Sequence, residues 1–95
     1  GNDALKFGSA IADRVPASEP LPYYGTRYWG FANPILYYEE RYLGPSAATA
    51  EAAVTAARAR SHWLFADRDR VAEIEARAVV HPVFTLGDGV LLEVR

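Results

Sequence analysis

The chain has 95 residues, 51 % of them hydrophobic, which suits one small domain with a single core. Its 12 acids and 10 bases leave a net charge of -2 and are spread along the sequence, with neither a basic stripe for a phosphate backbone nor an acidic tail, so nucleic acid is not an expected partner. There is no cysteine, which excludes disulfides, thiol nucleophiles and Cys-ligated zinc, and no apolar run reaches the roughly 18 to 20 residues of a membrane span.

Gly1 is compatible with a residue left by tag removal, in which case the chain would be an excised piece. Asn2 or Asp3 caps a first helix in which Leu5, Gly8, Ile11, Ala12 and Val15 recur at helical spacing, ending near Arg14 before Pro16. Residues 1–15 are thus an N-terminal helix, and 16–95 one α/β domain. Pro16, Pro20 and Pro22 mark a linker feeding strand one, Leu21 to Tyr28. Asn33-Pro34 predicts a helix start, and Gly44-Pro45 predicts its stop, so the helix covers Ile35 to Leu43 with Glu39 in its apolar stripe.

Thr49 with Glu51 opens a helix through Arg60, whose face around Ala53, Val54 and Ala57 suits close packing. His62 to Ala66 is a short apolar run of the kind buried on both faces of a sheet. Asp67 is expected to cap a helix carrying Val71, Ile74 and Ala78 on one face, with Glu73 and Arg77 paired four residues apart. Val79 to Leu86 and Val90 to Val94 flank Gly87-Asp88-Gly89 as an antiparallel hairpin. Together these predict an α/β fold: a two-layer or three-layer sandwich on a mixed, mainly parallel sheet of about four strands, closed by the C-terminal β-hairpin.

Eight of the aromatic residues fall between Tyr23 and Tyr42: Tyr23, Tyr24, Tyr28, Trp29, Phe31, Tyr37, Tyr38 and Tyr42. At the end of a strand in an open α/β sheet such rings suit a sugar or a membrane interface, and equally a small packed core with hydroxyls at its rim. Gly25 and Gly30 flank Arg27 before a helix, a setting for anion binding or for a plain strand-to-helix connection. Asp67 and Asp69 invite comparison with metal-binding acids, but helix capping explains Asp67 more simply. His62 and His81 start two strands without a third ligand, so no metal and no cofactor are expected. Glu39 with Arg41 or Arg27 is either a salt bridge on a helix edge or an acid/base pair. The binding candidates are therefore Tyr23, Tyr24, Arg27, Tyr28, Trp29, Tyr38, Glu39 and Arg41, with no catalytic residue assigned.

The segment "LPYYG", a short loop and "NPILYYEERYL", with Pro34, Leu36, Tyr37 and Tyr38 in key places, resembles the C-terminal soluble domain of bacterial membrane glycosyltransferases of the protein O-mannosyltransferase and aminoarabinose-transferase superfamily. The likeness continues more loosely through "HWLFADR", "RDRVAEIEA" and "VFTLGDGVLLEVR", and departs at Glu39 and Glu40. It implies a parent integral membrane enzyme using a polyprenyl-phosphate sugar at the periplasmic face of the inner membrane. Its catalytic acid would lie outside this chain, and residues 1–15 would follow the last membrane helix. The domain's partners would then be the rest of that enzyme, the donor lipid or lipid head groups. A free-standing protein-interaction module using the aromatic patch is the alternative.

Overall fold

The computed structural model describes residues 2–16, 18–39 and 42–95. Helix α1 (Asn2–Arg14) leads to β1 (Leu21–Tyr24), α2 (Tyr28–Glu39), β2 (Leu43–Ser46), α3 (Ala50–Arg58), β3 (Trp63–Asp67), a 3-10 turn (Arg68–Arg70), α4 (Val71–Glu75), β4 (Val80–Leu86) and β5 (Gly89–Val94). The five strands lie in the order β2-β1-β3-β5-β4. β1 pairs in parallel with β2 and β3, whereas β5 is antiparallel to both β3 and β4. The sheet is therefore mixed in equal measure and has five strands, not a mainly parallel four.

The extra strand is β2, whose Leu-Gly-Pro-Ser sequence reads as a helix stop. A proline is tolerated there because β2 is an edge strand, where one row of backbone donors has no partner to lose. A second departure lies in α2, which begins at Tyr28 and carries Pro34 inside it instead of starting at Asn33. Proline removes the bond to the carbonyl four residues back and crowds it. That residue is Gly30, which is exposed, so its freed carbonyl can be met by water. Strand β1 accordingly ends at Tyr24, four residues short of the expected Tyr28.

Period-two alternation divides the core between two faces. Tyr23, Phe65 and Leu91 point to one side, where Phe7, Ile11 and Val15 of α1 and the adjoining turn, with Phe31 and Ile35 of α2, cover them. Tyr24, Leu64, Ala66, Val90 and Leu92 point to the other, beneath Ala53, Val54 and Ala57 of α3 and Ile74 of α4. The architecture is a three-layer α/β/α sandwich. In α1 the buried stripe runs through Phe7, Ile11 and Val15, four residues apart, and leaves Leu5 and Ala12 outside.

Elsewhere expectation and structure agree closely. Thr49 caps α3, its side chain accepting from the Ala52 amide at 3.0 Å. The hairpin joins Leu86 to Gly89, with Gly87 at φ +55°. Gly89 lies in β5 and serves by close approach, since a Cβ there would strike the Phe65 ring. The helix expected after Asp67 is shorter, a 3-10 turn followed by five residues of α4. No described helix is long and apolar enough to cross a membrane.

Candidate functional site

Strands β1, β2 and β3 are parallel and end at one edge of the sheet. From β1 the chain turns to α2 on one face; from its neighbour β3 it turns to α4 on the other. Adjacent strands whose connections part in this way open a crevice at their carboxyl ends, the usual ligand position in such sheets. Here the protein fills it with its own side chains.

Asp67, the last residue of β3, is fully buried. Its Oδ1 accepts from the Tyr23 hydroxyl at 2.6 Å. Its Oδ2 accepts from the Thr26 amide at 2.8 Å and from Arg27 Nη1 at 2.9 Å, with the Thr26 hydroxyl at 3.4 Å. The Tyr23 hydroxyl in turn accepts from the Arg27 amide at 2.8 Å. Asp67 thus ties the β1–α2 loop to β3 and makes no side-chain capping bond to the turn that follows it, contrary to the expected helix cap. Gly25 permits the approach, because a Cβ at that position would overlap the Asp67 carboxylate. Ser46 of β2 closes the other side of the loop, donating to the Gly25 carbonyl at 2.7 Å and accepting from its amide at 3.2 Å.

The electrostatics follow from this geometry. Burial pushes the Asp67 carboxyl up, but the bonds from Tyr23, the Thr26 amide and Arg27 outweigh it and hold the group below the usual carboxylate range. Burial, followed by the bond to Asp67, drives the Tyr23 phenol well above its ordinary value. The guanidinium of Arg27 also contacts Asp69 at 3.3 Å and stands 4.0 Å from Asp88. Three carboxylates thus neutralise it, although its side chain stays 42 % exposed.

The sequence-derived candidates therefore separate. Tyr23 is sealed in the core, and Tyr24 lies on the opposite face, donating to Glu73 at 2.9 Å. That bond raises the Tyr24 phenol and, with Arg70 at 3.1 Å, lowers Glu73, so Glu73 pairs with Arg70. Tyr28 is half-buried, its hydroxyl donating to the Leu43 carbonyl at 2.9 Å. Trp29 stands edge-on to the Tyr28 ring at 5.0 Å and is 76 % exposed. Tyr38 and Glu39 belong to the end of α2, but their side chains lie outside the described part of the structure, and Arg41 lies outside the described residues.

What remains accessible is one face of α2. Trp29, Gly30, Asn33 and Leu36 are its exposed positions through residue 36, and all are uncharged. Tyr42, just beyond the helix, is 69 % exposed. The contrast is with α1, which exposes Lys6, Asp13 and Arg14, and with α3, which exposes Glu51 and Arg58.

Asp67 is the residue whose role sequence reading missed. The signal was a carboxylate closing an otherwise apolar, doubly buried strand, where an acid needs internal donors and not merely a helix to cap. Each histidine is accounted for separately: His62 Nδ1 contacts the Val94 carbonyl at 2.9 Å, and His81 is exposed on β4. Among the described residues no three His, Asp or Glu side chains are grouped so as to hold a metal ion. Comparison of the chain with protein-family models, with curated proteins and with solved structures finds no match.

Proposed function

We propose that this chain is a non-catalytic domain of a membrane glycosyltransferase that uses a polyprenyl-phosphate sugar, and that it assists substrate or acceptor binding at the periplasmic membrane surface. The observation that carries the reading is the outer face of α2, which is uncharged through residue 36, with Trp29, Asn33 and Leu36 one and two turns apart and Tyr42 beyond. Indole and phenol rings with polar edges favour the headgroup level of a bilayer, and an absence of charge spares the desolvation that lysine or glutamate would suffer there. The "LPYYG" and "NPILYY" segments support the same reading through their likeness to such enzymes. The polar cluster around Asp67 supports a scaffolding part for this edge of the sheet, since its donors and acceptors are spent on one another.

The test uses a Trp63→Phe background, which leaves Trp29 as the sole indole. Added vesicles of phosphatidylethanolamine and phosphatidylglycerol should shift its emission to shorter wavelength and shield it from iodide, and Leu36→Asp should abolish both effects. An unchanged spectrum at saturating lipid overturns the membrane-facing role. If instead the protein self-associates and Trp29→Ala disperses it without unfolding, the α2 face belongs to a protein-interaction module.

A further inference from the structure

On the side of the sheet away from α2, the edge strand β2 and helix α3 enclose a cleft of about 460 Å³. One wall is made by Pro20, Pro22 and Pro45, and the other by Ala52 and Ala56 of α3. Proline rings cannot rotate away and the alanine methyl is too short to fold in, so the cleft is formed before anything enters it. A single charged side chain lines it, Arg60, which makes no ion pair among the described residues. Beside the cleft, no described strand pairs with the outer edge of β2.

Direction follows from topology. Helix α3 connects β2 to β3, and both strands run parallel to β1, so α3 must run back against them. Arg60, beyond its C-terminus, therefore stands at the end of the cleft where β2 begins. A segment added antiparallel to β2 advances toward that end and finishes beside the guanidinium; a parallel one would bring its own ammonium group there and be repelled. We infer that the cleft between β2 and α3 receives the C-terminal end of another polypeptide, laid antiparallel along β2, with its last apolar side chain between the prolines and alanines and its carboxylate on Arg60. Pro45 offers no backbone donor and the Leu43 carbonyl already accepts from Tyr28, so the apolar residue and the charge contribute most of the hold. The site lies on the opposite face from α2 and stands or falls separately from the membrane reading.

The probe is a fluorescein-labelled hexapeptide ending in two valines with a free carboxylate, followed by anisotropy up to on the order of 1 mM. Binding should weaken about tenfold when the peptide is amidated, and about tenfold for the free acid with Arg60→Gln, as expected for loss of one charge-assisted pair. Ala56→Trp, at an exposed helix position that leaves the core intact, should fill the cleft and remove binding while the circular dichroism stays native. No binding, equal binding of acid and amide, or full binding to Ala56→Trp overturns the proposal. So does an Arg60-dependent affinity for dodecanoate with none for the peptide, which reassigns the cleft to lipid.

Discussion

Replacing Asp67 by asparagine keeps the shape of the side chain and removes its charge, so the loss is electrostatic. Asparagine must present either its carbonyl or its NH₂ group at the Oδ2 position. With NH₂ there, two donors face the Thr26 amide and Arg27, so the carbonyl takes that place and the NH₂ group turns to Tyr23. The Tyr23 oxygen can accept from it, but the hydroxyl proton, which gave the 2.6 Å bond to Oδ1, is left without an acceptor in a fully buried position. One buried unsatisfied donor costs about 1 to 3 kcal/mol, and weakening a charged acceptor to a neutral one at the Thr26 amide adds about 1 kcal/mol. The sum is about 3 kcal/mol. It should appear in urea titrations as a lower midpoint with unchanged slope. In a Tyr23→Phe background the bond from the phenol to Oδ1 is already absent, so the same change has less to lose and should cost about 1 to 2 kcal/mol less, a coupling visible in a double-mutant cycle. Asp67→Asn within about 0.5 kcal/mol of the parent, or equal losses in both backgrounds, would refute the argument.

Gly25→Ala and Gly89→Ala place a methyl group against the Asp67 carboxylate and the Phe65 ring respectively, and each should lower stability by about 1 to 3 kcal/mol in urea melts, whereas Gly30→Ala, with open space around it, should be neutral or stabilising. His62 has φ +68°, so His62→Val should lose about 1 to 2 kcal/mol while His62→Gly changes thermal stability by less, the relief of backbone strain offsetting the lost contact to Val94. Stability should be flat in the neutral range and fall at both ends. Asp67 is held below its unfolded value, so its contribution is complete above about pH 4 and is lost as the pH drops through the folded value; Tyr23 is held above its unfolded value, so its contribution is lost as the pH rises beyond about 10. Urea midpoints at stepped pH should show the alkaline fall flattened in Tyr23→Phe.

Local signals in the sequence were faithful where one residue type has one local use. Thr49 capped α3, the Gly87-Asp88 turn closed the hairpin, and the apolar run before Asp67 was a strand buried on both sides. Reading failed where tertiary context reverses a local rule. Proline marks a boundary in isolation, yet Pro34 sits within α2, where the carbonyl it frees, on Gly30, lies at an exposed position, and Pro45 sits within β2 because that strand lies at the edge of the sheet. The tyrosines look alike along the chain, but alternation in β1 sends Tyr23 and Tyr24 to opposite faces, and among the described side chains of this cluster Trp29 and Tyr42 are the ones left largely in solvent. The pairing of Arg27 with Asp67 spans forty residues of sequence, a distance over which no spacing rule operates.

The position of β5 between β3 and β4 has a consequence for how this molecule comes into being. During synthesis β4 leaves the ribosome before the strand that will join it to the rest of the sheet, and β3, central in the finished fold, has one side unclaimed until residues 89–94 arrive. A nascent chain at that stage carries two unsatisfied edges rich in valine and aromatic residues, the interval in which intermolecular pairing competes with folding. Substitutions in β5 should therefore reduce soluble yield in cells more than their effect on the purified protein's equilibrium stability would suggest.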